Sequence, residues 1–185
     1  MRKYINIIGL SIVLILIPFS GCQNKTSIAK ERLREELVSF RKTEIVIPHD
    51  MTVVRHGKLV PFIRQTGLPI LVVYIDGQDC TDCRIAHLVE YEPLFQLSDS
   101  TGTFQLMVVF SPSEGHEMVL QKLIDANYRF PVYFDSYSEF SDKNDIPLDS
   151  RFHTFLLNAE SFPILVGNPL TNPEINKLFH QLLNI

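Results

Sequence analysis

LPILVVYIDGQDCTDCRIAHLVE, residues 68–90, is the stretch whose reading decides the fold. Ile70 to Ile75 form an uninterrupted apolar run rich in β-branched residues, the pattern of a strand buried on both faces. A polar turn follows at Asp76-Gly77-Gln78-Asp79, and Cys80-Thr81-Asp82-Cys83 then opens a helical pattern carried by Ile85, Leu88 and Val89. A buried strand therefore feeds a helix whose first turn holds a CxxC pair. Backbone N–H groups at a helix start lack partners inside the helix, and the dipole there favours negative charge. A thiol at that place ionises more readily, and the thiolate is the form that attacks disulfides. The two-residue spacer lets the second sulfur reach the first with little backbone movement.

Working outward, the chain has 185 residues, of which 45% are hydrophobic and 21% charged, enough to bury one ordinary core. Arg2 and Lys3 precede a charge-free apolar run from Tyr4 to Phe19, which ends in Ser20-Gly21-Cys22. A basic start, an apolar stretch and small residues make a secretory signal over residues 1–21. The small-small-Cys ending resembles the bacterial lipobox, which implies cleavage before Cys22 and a lipid on that residue; an uncleaved anchor is the alternative. The expected location is the cell envelope, with the folded part in the periplasm or on the cell surface. Cleavage would leave 15 basic against 21 acidic residues, a formal charge of −6. Such a surface has no attraction for nucleic acid or anionic lipid, so the lipid alone would hold the membrane.

The cysteine count agrees. One of three serves as the lipid site and the other two form the CxxC, so no structural disulfide is expected and the pair is a redox or metal pair.

Residues 22–42 read as a tether becoming an amphipathic helix, with Ile28, Leu33, Leu37 and Phe40 on one stripe. The 43–185 region reads as one α/β domain that begins with a hairpin extension. Strands are expected at Glu44–Pro48, Met51–Arg55, Leu59–Phe62, Phe104–Phe110, Pro131–Phe134, Thr154–Asn158 and Ile164–Val166. Helices are expected at Glu117–Tyr128 and from Pro173 to Leu182, with a turn at Ser98–Gly102 and a solvated acidic loop over Asp135–Asp149. A parallel crossover followed by an antiparallel hairpin gives a mixed central sheet covered by helices on both faces.

With these elements in order, the chain resembles thioredoxin-fold proteins, more closely the membrane-attached periplasmic thioredoxin-like and peroxiredoxin-related group. The residues concerned are the first strand with Cys80-Thr81-Asp82-Cys83, the strand Phe130-Pro131-Val132-Tyr133-Phe134-Asp135, and Thr154–Asn158 followed by Ile164-Leu165-Val166-Gly167-Asn168-Pro169. The lipobox, Cys-Thr-x-Cys and Val-Gly-Asn-Pro together are also similar to a set of small uncharacterised lipoproteins of Bacteroidota. The resemblance implies a thioredoxin-like three-layer sandwich and thiol–disulfide exchange without a cofactor. Cys80 would attack and Cys83 resolve, with protein or small-molecule thiols and disulfides as partners.

Three positions depart from the thioredoxin pattern. Asp79 stands where Trp precedes the first Cys, Tyr74 where a buried acid lies six residues before it, and His153 where a cis-proline faces the pair. Asp79 and Asp82 oppose ionisation of a neighbouring thiol whereas the helix start favours it, and dominance of the carboxylates would make the pair a reductant. A non-proline cis bond costs about 3 kcal/mol, so Phe152–His153 is expected to be trans. The imidazole can pair with a thiolate or bind metal.

Two other functions compete with exchange. Cys80, Cys83, His87 and His153 have the composition of a zinc site, although His87 reads first as a surface residue and no metal is expected. A thioredoxin fold kept as an interaction scaffold is the non-enzymatic reading. No Ser-His-Asp order or phosphate-binding glycine loop is present.

Overall fold

A computed structural model describes residues 21–77, 81–112 and 115–185, with side chains omitted for 21–26 and 81–83. The chain divides into two units, 1–38 and 39–185. In the first, helix α1 (Gly21–Phe40, whose last two residues belong to the second unit) leaves Ile28 exposed, with Leu33 and Leu37 half-buried. Among the described residues no helix is long and apolar enough to cross a membrane. The expected signal segment lies outside the described residues.

The second unit is built on one seven-stranded mixed sheet. Its strands are β1 (Thr52–Arg55), β2 (Lys58–Val60), β3 (Ile70–Asp76), β4 (Gln105–Ser111), β5 (Val132–Phe134), β6 (Thr154–Leu157) and β7 (Pro163–Val166), in the order β2-β1-β5-β4-β3-β6-β7. β3, β4 and β5 run parallel, and the pairs β1–β2, β1–β5, β3–β6 and β6–β7 are antiparallel. The expected hairpin extension is therefore part of the main sheet. Its turn is His56-Gly57, both at positive φ, the conformation of a two-residue hairpin loop. A Cβ on Gly57 would lie 2.9 Å from the Ile124 carbonyl oxygen, so the position excludes a side chain sterically as well.

Between β3 and β4 the chain forms α2 (Thr81–His87), a short 3₁₀ turn and α3 (Glu92–Thr101); between β4 and β5 it forms α4 (His116–Ala126). Both crossovers step across the sheet in the same direction, so a single handedness places their helices on the same face. On that face Leu71, Val73 and Ile75 share a buried cluster with Ile85 and Leu88, Val119 and Leu123, and Phe179 and Leu183 of the last helix, α6 (Pro173–Leu183).

The alternate residues of the strands face an aromatic layer. Phe40 meets the edges of Phe152 and Phe155 at 5.8 and 5.2 Å, and Tyr74 lies 5.5 Å from Phe140 of α5 (Glu139–Asn144). Since both faces are covered, all of β3 except Asp76 is buried, which is why it reads as a continuous apolar run.

Three expected elements differ, the first being the solvated loop expected over Asp135–Asp149, which contains α5 with Phe140 and Asn144 buried. Glu44–Pro48 belongs to no strand, and its amides bond outside the sheet: Ile45 N–H donates to the Ser161 carbonyl and Val46 N–H to Asn144 Oδ1. Ser98–Thr101 is the end of α3 rather than a turn. The Thr101 hydroxyl bonds back to the Leu97 carbonyl at 2.7 Å and the chain leaves the helix at Gly102, φ 62°. Pro93 falls in the first turn of α3, where its missing N–H costs no helical bond.

Candidate functional site

β3 is the centre of the site because it pairs on both sides, with β4 along its whole length and with β6 over Ile70–Val73. Its carboxyl end delivers the chain to α2, which begins at Thr81 and has Asp82 and Cys83 as its second and third residues. Cys80 and Asp79 lie outside the described residues, as do the side chains of Asp82, Cys83 and Cys22. α2 runs for seven residues before tightening, so any helix-start effect on a thiol is local to its first turn. The Tyr128 hydroxyl donates to the Ile85 carbonyl and ties α2 to the chain leaving α4. Tyr128 in turn stacks on Phe130 at 5.2 Å.

His153 stands immediately before β6. No cis peptide bond occurs among the described residues, so Phe152–His153 is trans. The His153 carbonyl accepts from Tyr74 N–H at 2.7 Å and the two rings meet edge to face at 5.2 Å. The structure thus brings together Tyr74 and His153, two of the three positions at which a departure was expected. His153 Nε2 lies 2.9 Å from the Pro147 carbonyl. A carbonyl only accepts, so Nε2 carries the hydrogen, and in the neutral ring Nδ1 is the basic atom.

Below this pair lies a polar cluster that the sequence reading placed in solvent. Asp135 is 3% exposed, not a solvated loop residue. Its Oδ2 accepts from the Ser111 hydroxyl at 2.6 Å and from Phe140 N–H at 3.0 Å, and Oδ1 accepts from Glu139 N–H at 3.1 Å. It thereby satisfies two free amides at the start of α5. Burial raises the Tyr74 phenol above its usual value, hydrogen bonding to Ser141 and Ser111 offsets part of this, and the charges of Asp76 and Asp135 add to the rise. The sequence signal for Asp135 was an acid directly after a buried strand and four residues before a helix start.

Asp149 is held at about 2, chiefly by hydrogen bonds from the side chain and amide of Arg151, with the nearby His153 lowering it further. His87 is exposed and its Nδ1 lies 2.6 Å from Glu90 Oε1, so it is a surface residue engaged with the 3₁₀ turn that follows α2. Among the described residues no group of three or more His, Cys, Asp or Glu could hold a metal ion.

The mixed sheet and the order of its crossovers define a thioredoxin-like α/β fold. Among solved structures, the protein assigned as thiol:disulfide interchange protein DsbE of Chlorobium tepidum matches with a TM-score of 0.51 at 15% identity, over 77% of this chain and 96% of that one. A mutant PrxQ of Xylella fastidiosa matches with a TM-score of 0.51 at 12% identity, over 76% and 97%. At such identities the likeness concerns the fold. No family model matches the sequence, and no curated protein does.

Proposed function

We propose that this protein is a thiol–disulfide oxidoreductase of the cell envelope, tethered by a lipid on Cys22 and acting through Cys80 and Cys83 as a reductant of protein or small-molecule disulfides. The reading is supported by the order of β3 and α2, whose first turn holds Cys83, and by the packing of His153 against Tyr74 of β3. In the reaction, the Cys80 thiolate attacks one sulfur of a substrate disulfide. A mixed disulfide forms and the other substrate sulfur leaves as a thiolate. The Cys83 thiolate then attacks Cys80 and releases the second substrate thiol, so two electrons pass to the substrate and a Cys80–Cys83 disulfide remains. Asp79 and Asp82 add negative charge beside the sulfurs and disfavour the thiolate, which is the basis for the reducing direction. His153 is the group able to oppose them, as a cation or through Nδ1.

The test is a Cys83→Ser variant, which cannot complete the second step. Cells expressing it should accumulate adducts that disappear on reduction and on further replacement of Cys80. Absence of any adduct would leave the fold as an interaction scaffold.

A further inference from the structure

At the end of β3 opposite its exit towards α2, the chain entering β3 forms one wall of an open cleft of about 380 Å³, within the size range of small-ligand sites. We infer that this cleft binds a carboxylate attached to a compact apolar group, with Arg64 as the anion receptor. Phe62, Leu68 and Ala159 supply apolar lining, while Arg64, His49 and Thr66 supply polar groups. Among the described lining residues none is acidic, and Arg64 carries a fixed positive charge.

The wall is fixed in advance. Gln105 binds it from behind: its Oε1 accepts from Gln65 N–H at 3.0 Å, and its Nε2 donates to the Ile63 carbonyl at 3.1 Å. Tyr133 donates its hydroxyl to the same carbonyl at 3.3 Å, and its ring lies edge to face with Phe62 at 5.6 Å. Phe62 is also met by His49 at 5.7 Å. Arg64 is half-buried and oriented by donation from Nη2 to the Ser161 hydroxyl at 2.8 Å. A guanidinium oriented in this way matches the planar geometry of a carboxylate, and little ordering remains to oppose binding. The alternative anion, inorganic phosphate, would make no use of the apolar lining.

The cleft is lined by no cysteine among the described residues, so its test does not depend on the exchange reaction. Two-dimensional NMR of the protein is recorded during titration with N-acetyl-L-leucine and with its neutral carboxamide. Saturable shifts confined to residues 62–68 and the turn at Ala159, with the acid only, are the expected result. Arg64→Gln should weaken the acid roughly tenfold, the scale of one charge-assisted hydrogen bond. Ala159→Glu, on an exposed turn, should weaken it by like-charge repulsion even if Arg64→Gln perturbs the fold. Comparing acetyl-glycyl-leucine with 4-methylpentanoate separates a peptide terminus from a free acid: tighter binding of the former assigns the terminus, equal binding the free acid, and both support carboxylate capture. Equal response to acid and carboxamide, tighter binding of phosphate, or an unchanged affinity in both variants would overturn the inference.

Discussion

Replacing Asp135 with alanine tests the polar cluster beneath the candidate site. The carboxylate accepts one side-chain and two backbone hydrogen bonds at 2.6 to 3.1 Å, and it is almost fully buried. Losing the acceptor for the two amides of α5 is comparable to losing a helix cap, about 1 kcal/mol. Leaving the Ser111 hydroxyl without its charged partner in a buried site adds about 2 kcal/mol. The sum of about 3 kcal/mol corresponds to a fall in Tm of roughly 6–12 °C for a domain of this size. Urea unfolding of Asp135→Ala, Asp135→Asn and Ser111→Ala, with the double variant, measures it. Asparagine keeps one oxygen and should cost less than alanine. Ser111→Ala should be much less costly in the Asp135→Ala background than alone, showing direct coupling. A loss below about 1 kcal/mol for Asp135→Ala, or strict additivity with Ser111→Ala, would refute the reasoning.

Other outcomes follow from the same structure. Gly57→Ala should cost at least about 1 kcal/mol, since φ is +63° and the new methyl would lie 2.9 Å from a backbone oxygen; thermal unfolding checks it. Burial raises Tyr74, Tyr91, Tyr128 and Tyr133 above the usual phenol value of 10.0. In the unfolded chain these phenols ionise first, so their contribution is fully present below pH 10 and is lost as pH rises towards their folded values; ultraviolet titration alongside denaturation should show unfolding and phenolate formation together. Asp149 has the opposite sign: its contribution is present above the ordinary value of 3.8 and is lost as pH falls through about 2. In Arg151→Ala, NMR titration of the Asp149 carboxyl should move back towards 3.8.

The centre of the fold was legible because burial on both faces left β3 apolar up to Asp76, and Gly77 and the cysteines marked its exit. Glu44–Pro48 misled for a physical reason. Ile45 and Ile47 are buried while Val46 is exposed, the alternation of a strand, yet strand identity depends on where the amides bond, and Asn144 is 98 residues away from Val46. Ser98–Gly102 has turn composition, but its hydroxyls bond within the helix and to the Phe104 carbonyl. His153 and the CxxC were named from the sequence, whereas the pairing of His153 with Tyr74 depends on the register of β6 against β3. Asp135 looks in the sequence like the exposed Asp142 and Asp145 after it, and only the tertiary position of Ser111 and α5 distinguishes it.

The most direct test of the central claim is the equilibrium of the Cys80–Cys83 pair in glutathione or dithiothreitol redox buffers, followed by trapping free thiols and weighing the protein. The account predicts one reversible two-electron transition between dithiol and intramolecular disulfide, at a potential more reducing than about −180 mV, the value of protein disulfide isomerase. A potential near about −120 mV, that of a strong oxidant, would contradict the reducing direction. Failure to form the intramolecular disulfide at all would contradict the exchange chemistry itself.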